Sequence, residues 1–416
     1  MLKKFCPMSF QRYSSLVILG PVVDDMTSWL WDHGYGCGSI MRAIWTLPYI
    51  EATLRRRGVR RLNKITESDL AACGKGLVRR FPGRQGQTRS LERYLRARGL
   101  LKPAERKSTV ATRHLAAYAR YLETVRGAAA ATIQRNSSTA LEFLAHLKIE
   151  KHPGRLKTLT INDLEAFVKK ISQRLSRASL QHIVGRLRNF LRFLAVTGAT
   201  PQGLDRQIDT PRVYREEQLP GTLPWETVQT FLNSIDRSSL VGRRDFTMFL
   251  LMATYGLRAS DIVALTLDDI HWRAGKISIS QRKTGTIIDL PLTDAVGTAL
   301  HRYLKEAPPP PPLRQIFLRA KAPIGALKAT AISMAFRVWA RRGQLDIPGR
   351  GSCHRIRHSY AVFLLRKGTP VKTISDLLGH RTLESTWTYL RLAIEDLRDV
   401  ALPVPTESTG EKAVRA

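Results

Sequence analysis

Hydrophobic residues recur at steps of three and four along much of this chain, which is the spacing of one face of an α-helix. The clearest stripe lies in the middle of the chain and comprises Leu180, Ile183, Val184, Leu187, Phe190, Leu191 and Leu194. Gly198 and Pro201 follow it and predict the end of that helix. An apolar run from Phe246 to Tyr255 predicts a second, buried helix, which Gly256 can terminate in the left-handed conformation.

One region departs from the helical period and alternates as a strand does. Lys276–Ser280 alternates between polar and apolar positions, and Ile287–Leu290 follows after a short polar turn. This pattern predicts a β-hairpin whose tip carries Arg282, Lys283 and Gly285. The chain is therefore predicted to be mainly α-helical with a small antiparallel β-sheet.

The positions of prolines and of charged residues divide the chain into segments. Residues 1–105 form a basic N-terminal segment to which the sequence assigns no function. Residues 106–200 are predicted to be a helical domain, and residues 201–222 a linker with three prolines. Residues 223–402 form the third segment, which opens with the helix start Pro224-Trp225-Glu226. Residues 403–416 are predicted to be a flexible tail.

Charge indicates the kind of partner. The chain has 416 residues, and its 67 Lys and Arg against 34 Asp and Glu give a formal net charge of +33. An imbalance of this size favours a polyanion such as duplex DNA, although a charge run often marks only a solvated face. We selected five arginines as DNA-contact candidates: Arg174, Arg177, Arg188, Arg192 and Arg282. A membrane partner is disfavoured, because no apolar run approaches the roughly 18 residues that a span requires.

The cysteines argue against a metal centre. None of the four cysteines stands at Cys-x-x-Cys spacing, so a zinc site has no support and a reduced, cytoplasmic protein is expected. Cys353 precedes His354, but no residue suggests itself as the orienting partner that a thiol nucleophile requires. We therefore predict no metal and no cofactor.

Candidate catalytic residues cluster in the last third of the chain. Arg258 follows the Tyr255-Gly256-Leu257 turn, where a guanidinium held between two helices suits two oxygens of one phosphate. His354 and Arg357 lie three residues apart and would share a helical face. Arg355 and His358 also lie close, so the pattern leaves open which pair points inward.

A tyrosine follows these groups. His380 comes after Leu378-Gly379, and Tyr389 stands nine residues later. A tyrosine is a poor nucleophile at its usual pKa of about 10, and it requires a phosphate whose charge is neutralised. At any single site the commoner role of a tyrosine is core packing, here against Trp387 and Leu390.

These motifs, in this order, resemble the tyrosine recombinase (phage integrase) family. The likeness rests on Gly256-Leu257-Arg258, on Lys283 in its hairpin, on His354-x-x-Arg357, on Leu378-Gly379-His380 and on Tyr389. It is strong over the third segment and weaker over the second. Asp261 departs from the pattern, since many members have Glu there.

The resemblance implies a fold and a set of roles. A helical core-binding domain would precede an α+β catalytic domain. Tyr389 would attack DNA to give a 3′-phosphotyrosyl link, and Arg258 and Arg357 would hold the non-bridging oxygens. Lys283 would protonate the leaving 5′-oxygen, His354 would assist proton transfer at the tyrosine, and His380 would hydrogen-bond the phosphate.

The resemblance also implies partners and a setting. The protein would act without cofactors on double-stranded DNA, as a homotetramer joined through the C-terminal helix after Tyr389, and also with related recombinases. We expect a cytoplasmic, nucleoid-associated bacterial enzyme that integrates, excises or transposes a mobile element. Two alternatives remain, a DNA-relaxing topoisomerase of type IB and a DNA-binding regulator without catalysis.

Overall fold

The computed structural model describes residues 1–5, 7–81, 85–102, 108–213, 221–281, 285–347, 351–380, 382 and 384–390. Two predicted site residues, Arg282 and Lys283, lie outside these ranges. The predicted C-terminal helix beyond Leu390 and the tail at 403–416 also lie outside them. By its internal contacts the chain divides into two compact units, residues 103–218 and residues 1–102 together with 219–416.

The first hundred residues are helical and have a hydrophobic core of their own. Their helices are α1 (Leu2–Phe5), α2 (Phe10–Ser14), α3 (Gly20–Asp32), α4 (Cys37–Arg56), α5 (Glu67–Arg80) and α6 (Gln85–Ala97). Thr66 caps α5, in a reciprocal capping box with Asp69. The buried Glu51 of α4 accepts hydrogen bonds from the backbone N–H groups of residues 17–19, just before α3 begins.

Residues 103–218 form a separate helical unit around a second core. Its helices are α7 (Val110–Thr124), α8 (Ala130–His146), α9 (Ile161–Ser172), α10 (Arg177–Val196) and α11 (Leu204–Gln207). The apolar stripe of the sequence lies on α10, where its members are buried apart from the half-buried Ile183. α10 ends just before Gly198, as predicted, and Gly198 itself has φ +69°. The short helix α11 lies within the segment that was predicted to be a linker.

Residues 221–390 combine helices with a sheet. The helices are α12 (Trp225–Ser234), α13 (Leu240–Tyr255), α14 (Ala259–Ile262), α15 (Asp294–Glu306), α16 (Ala329–Arg342), α17 (His354–Arg366), α18 (Val371–Leu378) and α19 (Glu384–Leu390). The strands are β1 (Ile270–His271), β2 (Lys276–Gln281) and β3 (Thr286–Pro291), antiparallel in the order β1-β2-β3. The predicted hairpin is confirmed as β2 and β3, with Ile279 opposite Ile288. The two-residue strand β1 was not predicted, because it is too short to show a period.

The core of this region brings the helices that carry the candidate site residues together. Residues of α12, α13, α14, α16 and α17 share one buried cluster with the inner face of the sheet. A smaller cluster joins α17, α18 and Tyr389 of α19. Among the helices that the structure describes, none is long and apolar enough to cross a membrane.

Candidate active site

Arg258 is positioned by the turn between α13 and α14. Gly256 ends α13 with φ +63°, and Arg258 is the N-cap residue of α14. Its Nη2 donates a hydrogen bond of 2.9 Å to the carbonyl oxygen of Gly379. Its buried Nη1 lies 3.8 Å from Oδ2 of Asp261 and has no hydrogen-bond partner within the described part of the chain. This guanidinium therefore has hydrogen-bonding capacity that the described residues do not fill.

Arg357 lies inside α17 and is only 5% exposed. Its Nη1 donates to the carbonyl oxygen of Gly256 and its Nη2 to that of Leu378, each at 2.5 Å. Burial, and then the charge of Arg258, lower the pKa of Arg357 to about 10. The side chain therefore stays cationic at neutral pH, and it joins the turn before Arg258 to the end of α18.

The turn after α18 is where both arginines meet. Gly379 ends α18 in the left-handed conformation, with φ +57°. The carbonyls of Leu378 and Gly379 accept one hydrogen bond each from Arg357 and Arg258. The next residue, His380, makes a hydrogen bond of 2.8 Å between its Nδ1 and Oγ1 of Thr386 on α19.

Tyr389 lies beside this turn on α19 and is 4% exposed. Its ring is roughly parallel to that of His380, with centroids 6.1 Å apart. Its Oη is 2.8 Å from Nδ1 of His358. Burial raises the pKa of Tyr389, while the charges of Arg357 and Arg258 oppose that rise. The phenol is therefore protonated at neutral pH.

The two histidines of α17 differ in position. His354 is the first residue of the helix and its side chain is exposed, whereas His358 lies one turn later and contacts Tyr389. Burial lowers the pKa of His358 to about 4, and the charges of His354, Arg357 and Arg355 add to this effect. His358 is absent from the residues selected by sequence. The available signal was its spacing, since positions 354, 357 and 358 share one helical face.

The structure thus brings Arg258, Arg357, His380 and Tyr389 together, and His354 is the first residue of α17. Two guanidiniums beside a buried phenol suit an anionic, tetrahedral group such as a phosphodiester, because they neutralise charge on its oxygens. No group of three or more His, Cys, Asp or Glu able to hold a metal ion occurs among the residues that the structure describes.

The four candidate DNA-contact arginines of the helical unit differ in their exposure and in their hydrogen-bond and ion-pair partners. Arg174 pairs with Glu142, and Arg192 pairs with Asp205 at 2.7 Å. The half-buried Arg188 donates to the carbonyl oxygen of Ile208. Arg177 is exposed at the first residue of α10. Arg188 is therefore the least accessible of these four.

Comparisons with known proteins all indicate an integrase or recombinase. Residues 222–395 match the model of the phage integrase family, and residues 115–198 match the phage integrase N-terminal SAM-like domain. The chain is 29% identical over 400 residues to the putative integrase/recombinase y4rA of Sinorhizobium fredii, covering 94% of this chain and 96% of the relative. It is 33% identical to y4rF of the same organism, over 70% of this chain and 69% of that one.

A solved structure shares the fold. A lambda integrase tetramer bound to a Holliday junction superposes with a TM-score of 0.54 at 16% identity. The match covers 73% of this chain and 85% of that one. At this identity the likeness concerns the fold alone.

Proposed function

This chain belongs to the phage integrase family of tyrosine recombinases, and on that premise we propose that Tyr389 is the residue that attacks DNA. The protein is a site-specific recombinase that cleaves and rejoins DNA. The convergence of Arg258 and Arg357 on the Leu378–Gly379 turn beside Tyr389 carries the assignment of its active site.

The proposed reaction begins when Oη of Tyr389 attacks the scissile phosphorus. A bond forms between Oη and phosphorus, and the bond between phosphorus and the 5′-oxygen breaks. Oη gives up its proton as it attacks, with the assistance of His354. The tyrosine then carries the 3′-phosphate, and the released 5′-oxygen takes up a proton from Lys283. Attack by the 5′-hydroxyl of another duplex on this link reverses the step and exchanges the strands. Because the phosphotyrosyl link conserves the energy of the phosphodiester bond, the reaction requires no external energy source.

The arginines are proposed to act on the two non-bridging oxygens. Both side chains are fixed by backbone carbonyls before DNA arrives, so little reorganisation is required as charge develops in the transition state. The unpartnered Nη1 of Arg258 is one donor for these oxygens. Asp261, whose side chain is 1% exposed, lies 3.8 Å from the same Nη1 and stabilises the charge of Arg258.

The remaining roles are proposed by analogy with the family. Lys283, which lies outside the described residues, protonates the leaving 5′-oxygen. His380 donates a hydrogen bond to the phosphate, and His354 assists proton transfer at the tyrosine. His354 is exposed at the start of α17, where an incoming DNA backbone has access to it.

We further propose that the helical unit and the catalytic region both contact duplex DNA. The net charge of +33 supports this proposal, as does the likeness of residues 115–198 to the SAM-like domain of integrases. Arg174, Arg177 and Arg192 are exposed and are the better contact candidates. Arg282 lies outside the described residues and stays a candidate from the sequence. A DNA-bound tetramer joined through the segment after Tyr389 is proposed because the lambda integrase of similar fold is a tetramer on a Holliday junction.

A covalent-trapping experiment tests the assignment of the nucleophile. DNA from the flanks of the gene is prepared with a nick beside each candidate cleavage position, so that the released fragment diffuses away and the adduct accumulates. The wild type is expected to form a protein–DNA adduct that resists denaturant, and Tyr389→Phe is expected to bind the same DNA without forming it. Tyr360→Phe is the matched control, because Tyr360 belongs to the same hydrophobic cluster.

Each possible outcome of the trapping experiment supports or contradicts the assignment of Tyr389. An adduct with Tyr389→Phe would show that another residue attacks, and its loss in Tyr360→Phe would show that packing, not chemistry, is being measured. Strand-exchange products on two duplexes distinguish recombination from relaxation alone.

A further inference from the structure

The contact between His358 and Tyr389 is not explained by any of the catalytic roles proposed for the other residues. It joins Nδ1 of His358 on α17 to the hydroxyl oxygen of Tyr389 on α19, at 2.8 Å. We propose that His358 is a further active-site residue, whose neutral ring accepts the hydrogen bond of the nucleophile and so fixes the direction of its hydroxyl. The proposal rests on the proposed role of Tyr389 as the nucleophile.

The protonation states define the direction of this hydrogen bond. Burial raises the pKa of Tyr389, so its Oη carries the proton and donates it. Burial lowers the pKa of His358 to about 4, and the cationic groups around it reinforce this, so the ring is neutral at pH 7. Nδ1 then accepts the hydrogen bond, and the hydrogen of the ring is on Nε2.

The surroundings of the ring explain why it orients the phenol. His358 directly follows Arg357, which is clamped to two carbonyl oxygens. A rigid helix therefore places the acceptor for Tyr389 and the guanidinium for the phosphate on adjacent residues. The His380 ring, parallel to the phenol, restricts the phenol from another element. The hydroxyl is thus constrained by α17 while its ring is packed against the turn after α18.

The same pKa values argue against His358 as the residue that removes the proton. A ring with a pKa of about 4 is a weak base toward a phenol whose pKa lies above its usual value. General bases work best with a pKa near the working pH. The hydrogen bond therefore supplies orientation, and the transfer of the Tyr389 proton is left to His354, as proposed above. Misplacement of a reacting atom by about 1 Å can cost about 100-fold in rate, so orientation alone is a large effect.

Paired amide substitutions test the proposal. Asparagine places an amide oxygen close to the position of Nδ1, whereas glutamine extends it toward the position of Nε2. We expect His358→Asn to keep the single-turnover rate of adduct formation within about fivefold of wild type, and His358→Gln to lose about 10- to 100-fold. DNA affinity and thermal stability are measured for both variants. We expect the two variants to have the same DNA affinity and the same thermal stability, since each places a neutral amide at position 358.

Each result has a defined meaning. Equal rates for Asn and Gln variants, whether both normal or both lost, would overturn the positioning role, because neither outcome depends on where the acceptor lies. A selective loss in His358→Gln at saturating DNA, with binding unchanged, supports it. The Tyr389→Phe protein is run in parallel: an adduct in that protein refutes the proposed nucleophile, whereas equal Asn and Gln rates with no adduct from Tyr389→Phe refute only the role of His358.

Discussion

Replacing Gly256 by alanine perturbs the turn that positions both arginines. Gly256 has φ +63°, a conformation that costs a residue with a side chain about 1 to 2 kcal/mol. A Cβ atom built there would lie 2.6 Å from Cδ1 of Tyr360 and 2.8 Å from Cδ2 of Leu378. These are a ring carbon and a buried methyl group, so neither can move into solvent. Overpacking of this kind adds about 1 to 3 kcal/mol.

The expected loss in the free energy of unfolding for Gly256→Ala is therefore about 2 to 5 kcal/mol. Gly368→Ala is the matched control, because Gly368 follows α17 with φ +78° and a Cβ there meets nothing within 4 Å. Only the conformational cost applies to the control, which is about 1 to 2 kcal/mol. Urea denaturation of both variants against wild type measures the difference, which we attribute to crowding.

Catalysis gives a second, independent readout of the same substitution. The carbonyl oxygen of Gly256 accepts a hydrogen bond from Arg357, so a shifted turn also moves that guanidinium. Gly256→Ala is expected to slow adduct formation under conditions where the protein is still folded, whereas Gly368→Ala is not. Equal stability losses in the two variants, within about 0.5 kcal/mol, would refute the argument from close packing.

Two further predictions concern buried polar groups. Glu51→Ala is expected to cost about 2 to 4 kcal/mol in urea denaturation, because it strips three backbone N–H groups of their carboxylate acceptor, and a loss under about 1 kcal/mol would contradict this. The folded-state pKa of His358, about 4, lies below the ordinary value of about 6.5. The stability that the neutral ring contributes to the folded protein is therefore complete above pH 6.5 and is lost as the pH falls toward 4. The groups that face it are His354, Arg355, Arg357 and Tyr389. Between pH 7.5 and 4.5 the wild type should lose about 2 to 3 kcal/mol more than His358→Asn, and parallel pH profiles would refute the burial of a neutral ring.

Much of the local structure followed from the sequence because its causes are local. The period of the α10 stripe and the left-handed glycine at 256 depend on residues within a few positions of each other. The sequence likewise identified the hairpin of β2 and β3. It missed β1 and α11, which are too short for a pattern to emerge.

Surface charge was less informative about individual arginines. Composition correctly indicated a DNA-binding protein, since electrostatic attraction to phosphates scales with net charge. It did not indicate that Arg188 donates to Ile208, or that Arg192 pairs with Asp205. Those pairings join residues 20 and 13 positions apart, and they depend on how the chain after α10 folds back.

The sequence by itself determined the family, the order of the elements and the residue types available for catalysis. It did so because motif spacing and helical period are properties of the chain. Only the tertiary structure decided which histidine of α17 reaches Tyr389, since His354 and His358 share one helical face. The same holds for Arg357, whose carbonyl acceptors lie 101 and 21 residues away in the chain. Contacts of that range arise only when α13, α17, α18 and α19 pack together, and that packing buries the tyrosine and holds it protonated beside two cations.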